Sequence, residues 1–132
     1  MNIFTLTFSG VVALGNVKFE GSLPSFTNDE ALDFLDVSGN KFSGNVDNTN
    51  WAKPSLRYVD LSSNKFTGTI PSSFGGATNL KLANFDDNDF TGSMPQAVCN
   101  NRAGSLTNLT ADCAGANPQV TCAFPTCCTG CF

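Results

Sequence analysis

Six cysteines and a run of aspartates are the residues of this chain with chemistry to offer. Cys99, Cys113, Cys122, Cys127, Cys128 and Cys131 all fall in the last 34 residues. An even set crowded into a short tail reads as a disulfide-stapled end formed in an oxidising compartment. Six cysteines admit 15 pairings, and a bond between the neighbours Cys127 and Cys128 would be strained. The alternative is a metal or redox site, because Cys128-Thr-Gly-Cys131 is a CxxC. A second CxxC at finger-like spacing is missing and the chain has no His, so no metal is expected. Asp86-Asp87-Asn88-Asp89 invites calcium, but an EF-hand loop needs Gly sixth and Glu twelfth. Thr91 and Ala97 stand there instead. Without His, no Ser/His/Asp or Cys/His set can be assembled, and there is no Gly-rich phosphate loop or HExxH. Neither an enzyme nor a cofactor is expected.

What positions these residues is a repeat. Phe19, Phe42, Phe66 and Phe90 lie 23, 24 and 24 residues apart, each inside a copy of one pattern. The third copy reads Leu56-x-x-Val59-x-Leu61-x-x-Asn64-x-Phe66-x-Gly68-x-Ile70-Pro71. Its counterparts are Leu32, Leu35, Val37, Asn40, Phe42, Gly44 and Val46 before it, and Leu80, Ala83, Phe85, Asn88, Phe90, Gly92, Met94 and Pro95 after it. The first copy offers Val12, Leu14, Val17, Phe19, Gly21, Leu23 and Pro24, and a degenerate fifth runs Leu106-x-x-Leu109-x-Ala111. A period in the twenties signals a solenoid whose coils stack on one another. The alternation around each second leucine is a short strand with one buried face, paired in parallel with the next coil about 4.8 Å away. Asn40, Asn64 and Asn88 stand where the chain turns inward, where an amide satisfies backbone groups that Leu could not. The four phenylalanines predict an aromatic spine. Glycine two residues after each permits positive φ.

This pattern resembles the plant-type leucine-rich repeat, LxxLxLxxNxFxGxIP, of receptor-like kinases, receptor-like proteins and polygalacturonase inhibitors. The ending, Leu109-Thr110-Ala111-Asp112-Cys113 and then Val120-Thr121-Cys122 to Cys131, is similar to the terminal cap of leucine-rich repeat proteins from diatoms and related algae. The resemblance implies a right-handed α/β solenoid with one parallel β-sheet, 3-10 or irregular return arms and a C-terminal disulfide cap. Residues 1–98 would be about four coils, and 99–132 the degenerate last repeat and cap. Three departures stand out. The family's cysteine-containing N-terminal cap is absent, no kinase domain or membrane span follows, and Val46-Asp47-Asn48-Thr49-Asn50-Trp51 replaces the second Ile-Pro arm.

The resemblance also implies a concave face lined by the residues between the leucines. One column holds Val11, Phe34, Tyr58, Leu82 and Asn108, a second Ala13, Asp36, Asp60, Asn84 and Thr110, and a third Gly15, Ser38, Ser62, Asp86 and Asp112, with Asp87 beside it. An apolar, partly aromatic column on a wet face marks a binding surface. The expectation is a protein or peptide ligand anchored on Phe34, Tyr58 and Leu82. Asp36, Asp60, Asn84, Asp86 and Asp87 would favour a basic one. A groove of five rungs and four outward residues projects only about 300 Å², against about 800 Å² per partner in a standard interface. A short peptide, flanking surfaces, or a longer array of which this is the C-terminal piece would reconcile the two. The absent N-cap points to the array.

The second functional class is ice or polysaccharide binding by small hydroxyls repeating at the coil period, Ser43/Thr67/Thr91 and Ser22/Thr69/Ser93. A net charge of −4, from 11 acidic and 7 basic residues, gives no footprint for nucleic acid, and no 18-residue apolar run spans a membrane. A secreted or cell-surface monomer is expected, with Asn108-Leu109-Thr110 as its N-glycosylation sequon. Residues 1–15 read as a truncated first coil, with a signal peptide as the alternative. Ile3, Phe4, Leu6 and Phe8 are expected to fold over the exposed first coil as a makeshift cap.

Overall fold

The computed structural model describes residues 10–123 and 126–132. The cap expected from Ile3, Phe4, Leu6 and Phe8 therefore lies outside the described residues. From Gly10 onward the chain winds as a solenoid. Its inner side carries β1 (Val11–Ala13), β3 (Phe34–Asp36), β5 (Tyr58–Asp60), β7 (Leu82–Asn84), β9 (Asn108–Ala111) and β11 (Gly130–Cys131). These form one parallel sheet in the order β1-β3-β5-β7-β9-β11. The register is the one the repeat spacing implies, with Val11 opposite Phe34, Phe34 opposite Tyr58, Tyr58 opposite Leu82, and Leu82 opposite Asn108.

The leucine positions explain this winding. Leu32, Leu35, Val37, Leu56, Val59, Leu61, Leu80, Ala83, Phe85, Leu106, Leu109 and Ala111 are fully or almost fully buried. Each leucine contributes about 1.5–3 kcal/mol of transfer free energy. Because every coil presents the same side chains, each buries its face only against its neighbours. The phenylalanine spine stacks as expected, with Phe19, Phe42, Phe66 and Phe90 ring centroids 6.0, 6.1 and 6.0 Å apart.

The asparagine ladder satisfies backbone groups between coils. The Asn88 amide nitrogen donates to the carbonyls of Leu61, Phe85 and Asp86, and its oxygen accepts from the Phe66 amide at 3.0 Å. Asn64 serves Phe42 and Val37 in the same way, and Asn40 serves Phe19 and Leu14. The residue before each ladder asparagine is left-handed: Gly39, Ser63 and Asp87 have φ of 66°, 55° and 56°. The glycines after the phenylalanines, Gly21, Gly44, Gly68 and Gly92, have φ of 80–89°, which lets the chain turn there without a Cβ clash.

Three features go beyond the sequence expectation. A second parallel sheet forms on the outer side from β2 (Glu20–Ser22), β4 (Lys41–Gly44) and β6 (Lys65–Phe66), and β8 (Gly92–Ser93) pairs with β10 (Val120–Thr121). A second aromatic stack fills the return arms. Trp51 is fully buried against Phe74 at 4.7 Å and Phe26 at 6.3 Å, and its indole N–H donates to the Val46 carbonyl. Trp51 thus takes in the second return arm the place that Phe26 and Phe74 hold in the first and third, while the buried Val46 keeps the Ile position. Finally, the cysteine-rich tail turns back to add a sixth rung, β11 on β9. The return arms carry a 3-10 turn at Ser72–Gly76, the helix α1 (Gln96–Asn100) and a 3-10 turn at Asn101–Ala103.

Candidate functional site

Strand alternation puts the leucines inward and the residues between them on the concave face. The three columns assemble there as the spacing implies, but they differ in what they leave available. In the first, the Phe34 and Tyr58 rings lie parallel, 4.2 Å between centroids and 13° between planes. Both are half-exposed, as are Leu82 and Asn108, while Val11 is exposed. Offset-parallel rings at this distance attract beyond their buried area, so the pair forms a rigid apolar platform.

The second and third columns are mostly tied to each other. Asp36 accepts from the Ser38 amide and hydroxyl at 3.0 and 2.6 Å, and Asp60 from those of Ser62 at 3.0 and 2.6 Å. The other Asp60 oxygen accepts from Asn84, and Asp60 itself is buried. Asp86 accepts from the Thr110 hydroxyl, and Asp112 caps the backbone amides of Asp87 and Asn88. The acidic column is therefore chiefly a girder. Among the predicted ligand residues, Asp60 has both carboxylate oxygens engaged. Asp36 keeps one oxygen without a protein donor among the described residues, and Asp87 is exposed.

Sequence reading missed the column on the other flank of the platform. The residue after each first leucine is Asp33, Arg57 and Lys81 in turn, and these join Val11, Phe34 and Tyr58 around one open groove. Arg57 grips Asp33 with two hydrogen bonds, the Nε one at 2.8 Å. That contact holds the Asp33 carboxyl below its ordinary pKa. The pair is self-neutralising, which leaves Lys81 as the uncompensated charge on that edge. The period was there to find, but a charged residue beside a leucine ordinarily reads as solvated surface.

Tyr58 is the chain's single tyrosine, and its hydroxyl is pushed above the usual pKa, first by burial and then by Asp60 and Asp36. The raised pKa stabilises the folded state below the unfolded value of about 10, and that contribution is lost as pH rises through the folded value. Phenolate absorbance in an alkaline titration should therefore show a midpoint above that of a free tyrosine. Asp36→Asn, which removes one repelling charge, should lower it; an unchanged midpoint would refute the coupling.

At the C-terminal end, Cys99 pairs with Cys127, Cys113 with Cys131 and Cys122 with Cys128. The CxxC is thus split between two disulfides. The sulfurs of Cys113, Cys122 and Cys128 gather within 4.8 Å of one another, but as disulfide sulfurs they are not thiolate ligands. Asn108, the sequon residue, lies on β9 with its amide donating to Asn84 and accepting from Thr129. On the outer side, Ser22 pairs with Ser43, but Ser43 pairs with Lys65 and Glu20 with Lys41. Thr69 also bridges Thr91 in parallel, so this side carries both hydroxyls and charges. Among the described residues, no helix is long and apolar enough to cross a membrane.

Residues 55–77 match the family model of the Leucine Rich Repeat. No curated protein matches the chain. Among solved structures, the Arabidopsis receptor kinase HAESA, in complex with the peptide hormone IDA and the co-receptor SERK1, is similar at 37% identity and a TM-score of 0.61. That match covers 70% of this chain and 15% of the other. The BIR3–SERK2 complex from Arabidopsis thaliana gives 28% identity and a TM-score of 0.62, over 81% of this chain and 58% of its own. A plant ice-binding protein shares the fold at 24% identity and a TM-score of 0.51, over 87% and 38%. The chain spans less than two thirds of the length of each of these three. Its winding, its repeat and these neighbours agree: the chain folds as a leucine-rich repeat solenoid similar to plant receptor ectodomains, with a disulfide-bonded C-terminal end.

Proposed function

We propose that the chain is a non-catalytic recognition module that binds an extended peptide across its concave face. It would act as all or part of a secreted or cell-surface ectodomain. The observation that carries this reading is the stacked Phe34–Tyr58 platform, half-exposed between Val11 and Leu82 and flanked by polar columns. Desolvating such a platform favours an aromatic or aliphatic ligand side chain. Asp36 and Asp87 on one flank suit a basic neighbour in the ligand, and Lys81 on the other suits a carboxylate. HAESA, which binds the peptide hormone IDA, supports the class of ligand. Three disulfides fit an oxidising compartment. A monomer is proposed, and a glycan on Asn108 would shield the C-terminal end of the same face.

Selection from a displayed random-peptide library tests this. Enriched sequences should carry an apolar residue next to Lys or Arg. Tyr58→Ala, with its fold checked by circular dichroism, should weaken their binding roughly 10- to 100-fold. Peptides that bind the variant equally well would overturn the reading.

A further inference from the structure

Lys53 is 5% exposed, an unusual place for a cation. Its ammonium donates to one protein acceptor, the Thr27 carbonyl at 3.2 Å. Among the described residues the ion pair formed is Arg57–Asp33, so no carboxylate lies within pairing distance of Lys53. An ammonium has three donors, and a buried charge is costly unless paired and hydrogen-bonded. Among the described residues, two donors of Lys53 have no protein acceptor.

The surroundings indicate what could accept from them. Lys53 lines a depression with Thr27, Glu30, Asn50 and Ser55. Thr27 and Asn50 also wall an adjoining trough with Asp47, Thr69, Ser72 and Ser93. This trough lies where Asp47–Asn50 replaces the Ile-Pro arm, and it is held in place by the buried Trp51. Its apolar surface comes from Ile70, Pro71 and Pro95, with Ala52 and Pro54 beside Lys53, and hydroxyls, amides and the Asp47 carboxylate line the rest of the trough. A ligand made of hydroxyl groups with one negative charge matches both halves.

We propose that the return arms of the second and third coils form a binding site for an acidic saccharide. Its carboxylate or sulfate would pair with the Lys53 ammonium, and its hydroxyls would lie along Asn50, Thr69, Ser72 and Ser93. This site is separate from the Phe34–Tyr58 platform and goes beyond the peptide reading. Asp47 and Glu30 limit the site to one anionic group near Lys53, because a second would meet a like charge.

Calorimetric titration of the intact, oxidised protein tests it, with a glucuronate-containing oligosaccharide, a 6-sulfated galactose oligosaccharide and the neutral counterpart of each. At least one acidic sugar should bind at least about tenfold more tightly than its neutral form, and whichever does so identifies the anion as carboxylate or sulfate. Lys53→Met, which keeps the apolar stem, should abolish that preference. If it fails to fold, Asp47→Asn, at an exposed position, serves instead and should strengthen the acidic sugar by several-fold. Equal binding of acidic and neutral sugars, no binding of either, or equal binding of inorganic sulfate or a polyglutamate peptide would each overturn the proposal.

Discussion

Phe66→Ala lowers the stability of the chain by about 3–5 kcal/mol. Phe66 is fully buried and stacks on both sides, 6.1 Å from Phe42 and 6.0 Å from Phe90. Its loss opens a cavity that the surroundings are poorly placed to fill, because the ladder fixes the backbone beside it. Asn88 accepts from the Phe66 amide and Asn64 from the Phe42 amide, so the Phe42 ring does not move inward without breaking a ladder bond. In a solenoid each coil is stabilised by the adjacent interfaces, and Phe66 contributes to two of them. Phe19 stacks on Phe42 alone among the described residues and is 5% exposed. Phe19→Ala should therefore cost less, toward the lower end of that range. Denaturant unfolding followed through Trp51, the single tryptophan, measures both. Equal losses would show that the spine does not couple coils.

The spine and ladder were legible because their physics is repeated. Phenylalanine at a fixed period and asparagine before the turn have one structural meaning each, and every coil restates it. Features without repetition were not legible. Gly130–Cys131 has no leucine, so nothing in its pattern announces β11. It pairs with β9 because the disulfides and Thr129, whose hydroxyl accepts from the Leu109 amide, bring it there. Trp51 looked like a departure from the repeat and proves to continue it, because it stacks between Phe26 and Phe74 of the adjacent return arms. The concave columns followed from alternation alone. Whether a carboxylate on that face is free or already bonded did not, since it depends on contacts between coils: Asp60 is held by Asn84, 24 residues away. Lys53 was missed because lysine is expected at the surface, where its charge is solvated.

The mixed chemistry of the concave face follows from the same economy of repetition. A column that recurs at every coil, such as Asp36 with Ser38 and Asp60 with Ser62, rigidifies the strand ends. Specificity must come from what does not recur. Phe34 and Tyr58 appear on two adjacent coils only, and the charge beside them changes sign once, from Asp33 to Arg57 and Lys81. The platform is therefore the place where this face differs from a generic leucine-rich repeat surface.

Removing the Cys99–Cys127 disulfide should destabilise the chain more than removing Cys122–Cys128. The first closes a segment of 28 residues and the second one of 6. Loop-closure entropy then gives about 3.5 kcal/mol for the longer and about 2 kcal/mol for the shorter. Position widens the gap. Cys127 is 2% exposed within the core, and Cys99 sits on α1, so this bond ties the tail to the fourth return arm. Cys122–Cys128 joins parts of the tail to each other. Among the described residues the tail, with β11 on β9, is what covers the last coil, and an uncovered solenoid end exposes core side chains. In the Cys99→Ser/Cys127→Ser variant, Cys131 stays bonded to Cys113, so β11 should fray from its Thr129 end, where the bond to the Leu109 carbonyl loses its tether, more than at Phe132. The pairing of Val120–Thr121 with Gly92–Ser93 should persist. Thermal unfolding of the two double-serine variants, with amide exchange at Thr129 and Phe132, tests both parts. If Cys122→Ser/Cys128→Ser proves the more damaging, the end of the solenoid is held by the internal structure of its tail and not by attachment to the coils.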